Sequence, residues 1–233
     1  MASLQQIRNQ TRILINQPSG GDFTDSELNG FINEGVRFLA TVINWPRDRV
    51  ETQAEENTGA ITLPKDTIML LLAYFGNENE SGDKLPLFIL SEEQLAELEP
   101  NWTDNTTSSQ GRPRYMVMID KRTVVVYPRP NASESAVGKK IEIVYSYYPS
   151  TMTADGNEPD IPLVYHDFAG QYAASKCYMS KLNNPVLGQG ILKEIIEKAQ
   201  MVKPVITKEI NQQGFVWGGT IQSDDEDYGI RLR

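Results

Sequence analysis

Apolar residues return every three or four positions over two well-separated stretches of this chain. Between those stretches they alternate or run together. The first stretch, residues 23–46, sets Leu28, Phe31, Ile32, Phe38, Leu39 and Val42 on one broad face, the pattern of a core-facing helix. It opens on Thr24-x-x-Glu27, a capping box in which hydroxyl and carboxylate satisfy free backbone N–H groups, with Phe23 and Leu28 placed as the hydrophobic staple. The second stretch, residues 161–182, puts Pro162 at the first helical position, where its missing N–H costs nothing. There Val164, Phe168, Tyr172, Ser175 and Met179 share a face, and Asn183-Asn184-Pro185 ends the pattern.

Two further helices flank these. Leu4, Ile7, Leu14 and Ile15 mark a helix over about 3–15, closed by Pro18-Ser19-Gly20-Gly21. Ile191, Ile195, Ala199 and Val202 point inward from a last helix over about 190–203, with Pro204 as its stop. Between the helical stretches, 48–60 is polar, and Ile61-Thr62-Leu63-Pro64 reads as a short strand or turn. Residues 68–75 form an apolar run that fits a strand or a buried helix equally well. After the apolar 85–90, Ser91-x-x-Gln94 is a second capping box, predicting a short acidic helix that stops at Pro100. Residues 115–119 and 123–127 predict a hairpin around Asp120-Lys121, and the alternation over 141–147 predicts a third strand. The fold class is therefore α+β, and from 204 to 233 no periodicity remains, which predicts an extended C-terminal arm.

Composition narrows the function. Hydrophobic residues are 39% of the chain, fewer than a compact domain ordinarily carries, so long polar loops or tails are expected. A net charge of −9 excludes wrapping duplex DNA by phosphate neutralisation. With one cysteine, Cys177, neither a disulfide framework nor a cysteine zinc site can form within a chain. The start, MASLQQIRNQ, has no apolar stretch of the secretory kind, so synthesis in a cytoplasm is expected. The N-x-S/T sequons at Asn9, Asn79, Asn101, Asn105 and Asn131 then read as polar-loop composition. The longest apolar run, near 68–75, is far short of the ~20 residues that cross a bilayer.

Little points to catalysis. His166 is the only histidine, and on a continuous helix Cys177 would stand roughly 16 Å from it, out of reach for a dyad. Glu92, Glu93, Glu97 and Glu99 look like a solvated helix face, and residues 224–227 a charge run. Gly188-x-Gly190 lacks the strand, third glycine or lysine of a phosphate loop. No catalytic, metal or cofactor-binding residue is expected, and no cofactor. The arm is more telling. Phe215, Trp217, Tyr228, Ile230 and Leu232 lie on a Gly-rich polar segment with no core of its own, which marks them as anchors for a partner.

The motifs fall in an order that resembles a known family. Phe23-Thr24-Asp25-x-Glu27-Leu28-x-x-x-Ile32-Asn33-Glu34 is similar to the N-terminal helix of the head-to-tail adaptor proteins of tailed bacteriophages. Leu63-Pro64-x-Asp66, then Gly111-x-Pro113-x-Tyr115 with Val126-Tyr127-Pro128-x-Pro130, resemble its central region and hairpin. Ile161-Pro162-x-x-Tyr165-His166, followed by Tyr172, Ala173, Ala174 and Tyr178, resembles its C-terminal helix. The resemblance covers about 10–205. It implies a helical adaptor domain over 1–203 with a β-rich insertion at about 110–150, and an arm over 204–233. It also implies a structural virion protein, with no enzymatic role, assembled in the host cytoplasm and placed at the neck.

Such proteins form a ring of about twelve copies between portal and tail, extending the DNA channel and providing the platform for a nozzle or tail-tube protein. DNA would pass through the lumen without sequence-specific binding, and an acidic wall suits that passage. The portal ring, the tail and other copies of the chain are the partners implied, with Phe215, Trp217, Tyr228, Ile230 and Leu232 as the portal-docking residues. The competing readings are a small tail-associated hydrolase, which would have to use His166 or the 92–99 carboxylates, and another tail structural protein.

Overall fold

The computed structural model describes residues 2–17, 21–53, 58–76, 85–103, 110–120, 122–130 and 140–212. Among them, helices α1 (Leu4–Leu14), α2 (Asp25–Ile43), α4 (His166–Met179) and α5 (Pro185–Gln212) pack as a bundle, and α3 (Glu92–Leu98) lies on the β-rich part. The strands are β1 (Arg47–Thr52), β2 (Ala60–Thr62), β3 (Thr67–Gly76), β4 (Leu85–Pro86), β5 (Phe88–Leu90), β6 (Tyr115–Met118), β7 (Thr123–Tyr127) and β8 (Lys140–Tyr147). The chain is α+β.

Helix starts follow local chemistry. Both expected capping boxes form: Thr24 Oγ1 accepts from Glu27 N at 3.2 Å while Thr24 N donates to Glu27 at 2.9 Å, and Ser91 pairs with Gln94 likewise. A third, Ser3 with Gln6, starts α1. The bundle core is Leu4, Ile7, Ile32, Val36, Leu39, Ala169, Tyr172, Ala173, Ile195 and Ala199, which bears out the inward face expected of the last helix. For α4 the single expected face is too narrow. Val164 is 48% exposed in a 3₁₀ turn, Leu163–Tyr165, that precedes the helix, while Ala169, Gly170, Ala174, Ser175 and Cys177 are buried around it. Small side chains allow this: Cβ on Gly35 of α2 would sit 3.0 Å from Tyr172, and on Gly188 of α5 2.7 Å from the Ser175 carbonyl.

The β-rich part is larger than expected, with strands from Arg47 onward rather than from about 110. It forms two four-stranded sheets, β1-β8-β3-β4 and β2-β7-β6-β5. The apolar run at 68–75 is strand β3. The expected hairpin is β6–β7, pinned where Asp120 accepts from the backbone N–H groups of Arg122 at 2.7 Å and Thr123 at 2.8 Å. The expected third strand, β8, is not beside the hairpin but in the other sheet, between β1 and β3. Arg47–Thr52, almost all of it within the 48–60 stretch read only as polar, forms β1. Its ladder to β8 and the Arg49–Glu142 (3.0 Å) and Lys140–Glu51 (3.1 Å) pairs hold it there, although only Val50 packs on the core. The chain crosses between sheets at Leu87, whose N–H donates to Ala73 O at 2.8 Å. Leu63, Phe75, Met116, Val126, Ile141 and Ile143 fill the space between the sheets.

A strap of residues 148–162 ties the two parts together. Asn33 of α2 exchanges two hydrogen bonds with the Met152 backbone (2.8 and 3.0 Å), and Leu4 N donates to Asn157 O at 2.8 Å. Tyr147 Oη donates to Asp160 at 3.1 Å. The last helix starts at Pro185, not 190, and runs through Pro204 to Gln212. A proline removes one intrahelical donor, and here the turns on both sides hold the helical path.

Candidate functional site

The five expected anchors, Phe215, Trp217, Tyr228, Ile230 and Leu232, lie outside the described residues. What the structure does show is where they are attached. Lys203 Nζ donates to Val42 O at 3.0 Å, so α5 passes the end of α2 there and carries on to Gln212. α5 thus ends beyond the end of the bundle at which the chain passes into the sandwich through Trp45 and Pro46.

The residues weighed for catalysis do not converge. His166 is 3% exposed in the first turn of α4, and its Nε2 donates to Ile161 O at 2.9 Å. Cys177 is buried in a separate apolar cluster with Ile15, Phe23, Leu28 and Ala174, and burial pushes its thiol up to about 11. Glu92, Glu93 and Glu97 are exposed on α3, the solvated face expected of them. Among the described residues no group of three His, Cys, Asp or Glu could hold a metal ion, and no helix is long and apolar enough to cross a membrane. The thiol gives a direct check. Cys177 should be silent to an aromatic disulfide reagent at pH 8 in the folded chain and react fully after denaturation. Prompt labelling of the native protein would show that the helical end opens readily.

The far end of the bundle, where α1 and α4 finish and α2 and α5 begin, is built from charge. Arg8 and Arg12 of α1 are buried, a role sequence reasoning missed because both fall among polar neighbours. Arg8 reaches Asp155 at 2.9 Å and Asp25 at 3.5 Å, and Arg12 reaches Asp25 at 2.6 Å and Phe23 O at 3.2 Å. These bonds knit α1 to the start of α2 and to the strap. Lys181 donates to Glu27 at 2.6 Å and to Asp22 O at 2.7 Å, tying in the end of α4. Tyr178 Oη donates to Leu14 O at 3.0 Å.

Capping that end are apolar side chains left in solvent: Ile13 at 71% exposure, Val186 at 80%, and Leu14 and Leu187, both at 43%. Nearer the sandwich, Arg37, Asp66, Tyr148 and Thr151 line an open cleft of about 450 Å³, with Arg37 donating to Thr151 Oγ1 at 2.6 Å. Among the described residues, His166 and Cys177 are buried in different surroundings and the α3 carboxylates lie elsewhere, so the groups weighed for catalysis do not form one site.

The family model described as SU10 adaptor protein matches residues 2–200. The chain belongs to that adaptor family. The match spans α1 through most of α5, the helices and both sheets alike, so membership rests on the whole fold described above. It is a bacteriophage head–tail adaptor, and the family is a structural one. Association with phage portal and tail components and a place at the virion neck go with that membership. No curated protein matches the chain.

Proposed function

We propose that this adaptor forms a ring of about twelve copies between portal and tail, extending the DNA channel and presenting the tail with its platform. The family match over residues 2–200 carries the reading. The arm is the portal anchor: Phe215, Trp217, Tyr228, Ile230 and Leu232 enter portal pockets, where aromatic and large aliphatic groups dominate binding energy. α5 supports this by delivering the arm at one end of the bundle. One chain's arm binds weakly, and the ring makes attachment firm because each bound copy raises the effective concentration of the next. A net charge of −9 keeps duplex DNA from adhering to the lumen.

Light scattering on the chain mixed with the portal of its own phage tests this. The full chain should co-elute at close to one copy per portal subunit. A chain lacking 214–233 should stay folded, stay monomeric and no longer bind. Ring binding by the truncated chain would sink the arm assignment, and a full chain that never leaves the monomer peak would sink the ring.

A further inference from the structure

Basic charge is concentrated in one part of this acidic chain. Residues 110–130, the β6–β7 hairpin and its approaches, carry five Lys or Arg against a single Asp, while the whole chain has a net charge of −9. Arg114, just before β6, is exposed and has no ion pair among the described residues. Its backbone fixes what lies beside it: Phe88 N donates to Arg114 O at 2.9 Å, and Arg114 N donates to Tyr127 O at 2.9 Å. Phe88 belongs to the edge strand β5 and is 64% exposed, its ring 6.3 Å from that of Tyr115. An uncommitted guanidinium and an uncovered aromatic edge therefore adjoin.

Such a patch suits an occupant that is acidic and aromatic together. Duplex DNA is a poor one, because a single guanidinium neutralises a single phosphate and the rest of the chain repels it. Helix α3 of a second copy offers carboxylates without a ring. The chain's own arm holds Asp224-Asp225-Glu226-Asp227-Tyr228, four carboxylates followed directly by a ring. We infer that residues 224–228 dock on the sandwich of the same chain, with the acidic run against Arg114 and Tyr228 on the Phe88–Tyr115 edge. The reach is sufficient. β3 starts at the bundle end, where Thr67 lies opposite Tyr147 and Tyr147 N donates to Pro46 O, and its ten residues span ~33 Å. Phe88 follows Leu87, which bonds Ala73 within that span. The twelve positions from 212 to 224 extend to ~40 Å, and α5 has already carried the chain past Val42. An exposed ion pair is worth little alone, so it is the tether that makes the contact effective. Docked there, Tyr228 is withheld from other surfaces until salt or a partner displaces it. The docking itself does not rest on the portal reading.

Carbodiimide coupling of the full chain, without portal, tests it. Arg114→Lys keeps the charge and supplies an amine that joins directly to a touching carboxylate. Docking predicts position 114 joined to 224–227 within one chain, at least about fivefold more than Lys193, an exposed lysine of α5 that a free arm would also meet. The excess should vanish at about 0.5 M salt, where exposed charges are screened. Adding Phe88→Ala, a change at an exposed side chain, should lower the 114 product at least about threefold. Equal yields at 114 and 193, or coupling of 114 only to carboxylates of α3, overturn the inference. Products formed mainly between chains overturn docking within one chain, and an unchanged yield with Phe88→Ala overturns the aromatic seat.

Discussion

Replacing Phe75 with alanine should cost about 3–5 kcal/mol of folding stability, the range for removing a large ring from a packed interior. Phe75 is 2% exposed at the end of β3, opposite Ile141 of β8, where the sheets close on each other. The damage should be local. The sandwich core and the bundle core share no residue, and the strap that joins them works through hydrogen bonds such as Asn33 to Met152 rather than through shared packing. Hydrogen exchange should therefore show peptides from β3, β7 and β8 losing protection first, while α2 and α4 keep theirs. Simultaneous loss across both parts would mean that they unfold as one unit, with the strap transmitting the defect.

What was legible in the sequence tracks how local the determining interactions are. The capping boxes at Thr24 and Ser91 reach three residues along the chain, and both formed as read. Ser3-x-x-Gln6 carried the same signal and was readable in the same way. The β6–β7 hairpin is equally local, set by Asp120 and its own turn. β1 was not legible, because Arg47–Thr52 is a strand through pairing with β8, nearly a hundred residues on, while its own pattern is polar. For the same reason β8 was read as a strand but without its sheet: alternation fixes a strand's faces and says nothing of its neighbours. α4 misled for the opposite reason. Its alanines, Gly170 and Cys177 are small enough to be buried on every side, and a helix packed all round shows no single stripe.

The candidate surfaces divide likewise. Phe215, Trp217 and Tyr228 stand out in sequence because they break the polar, Gly-rich composition around them. Val186 and Leu187 fall outside the helix expected over about 190–203, and the structure places them exposed in the first turn of α5, next to the close packing of Gly188 against Ser175 and Met179. Arg8 became meaningful only when the strap brought Asp155 across to α1, and Arg12 only when the start of α2 set Asp25 and the Phe23 carbonyl against it.

Asp25→Asn should remove about 1–2 kcal/mol at neutral pH and flatten the acid limb of the stability curve. A fully buried pair broken from one side loses about 3–5 kcal/mol; the estimate is lower here because the Asp25 side chain is 59% exposed and water restores part of the loss. The damage arises on the arginine side. Arg8 and Arg12 remain buried, and the amide offers them an oxygen without a charge.

The pH dependence follows from the same contacts. The hydrogen bond from Arg12, with the Arg8 charge nearby, holds the Asp25 carboxyl below its ordinary 3.8. Lys181, then the Thr24 N–H and hydroxyl, pull Glu27 from 4.5 down to about 2. Both groups bind protons less readily folded than unfolded. Their stabilisation is therefore complete above the unfolded values and is lost as pH falls through the folded ones. Chemical denaturation between pH 6 and pH 2 should show stability of the unaltered chain falling below about pH 4.5, most steeply between the unfolded value of 4.5 and the folded value of about 2, and levelling as pH 2 is approached. Asp25→Asn should start lower and fall less, since one of the two titrating groups is gone. Parallel curves for the two proteins would show that Asp25 does not titrate against Arg12, and the charged network would then have to be read as packing alone.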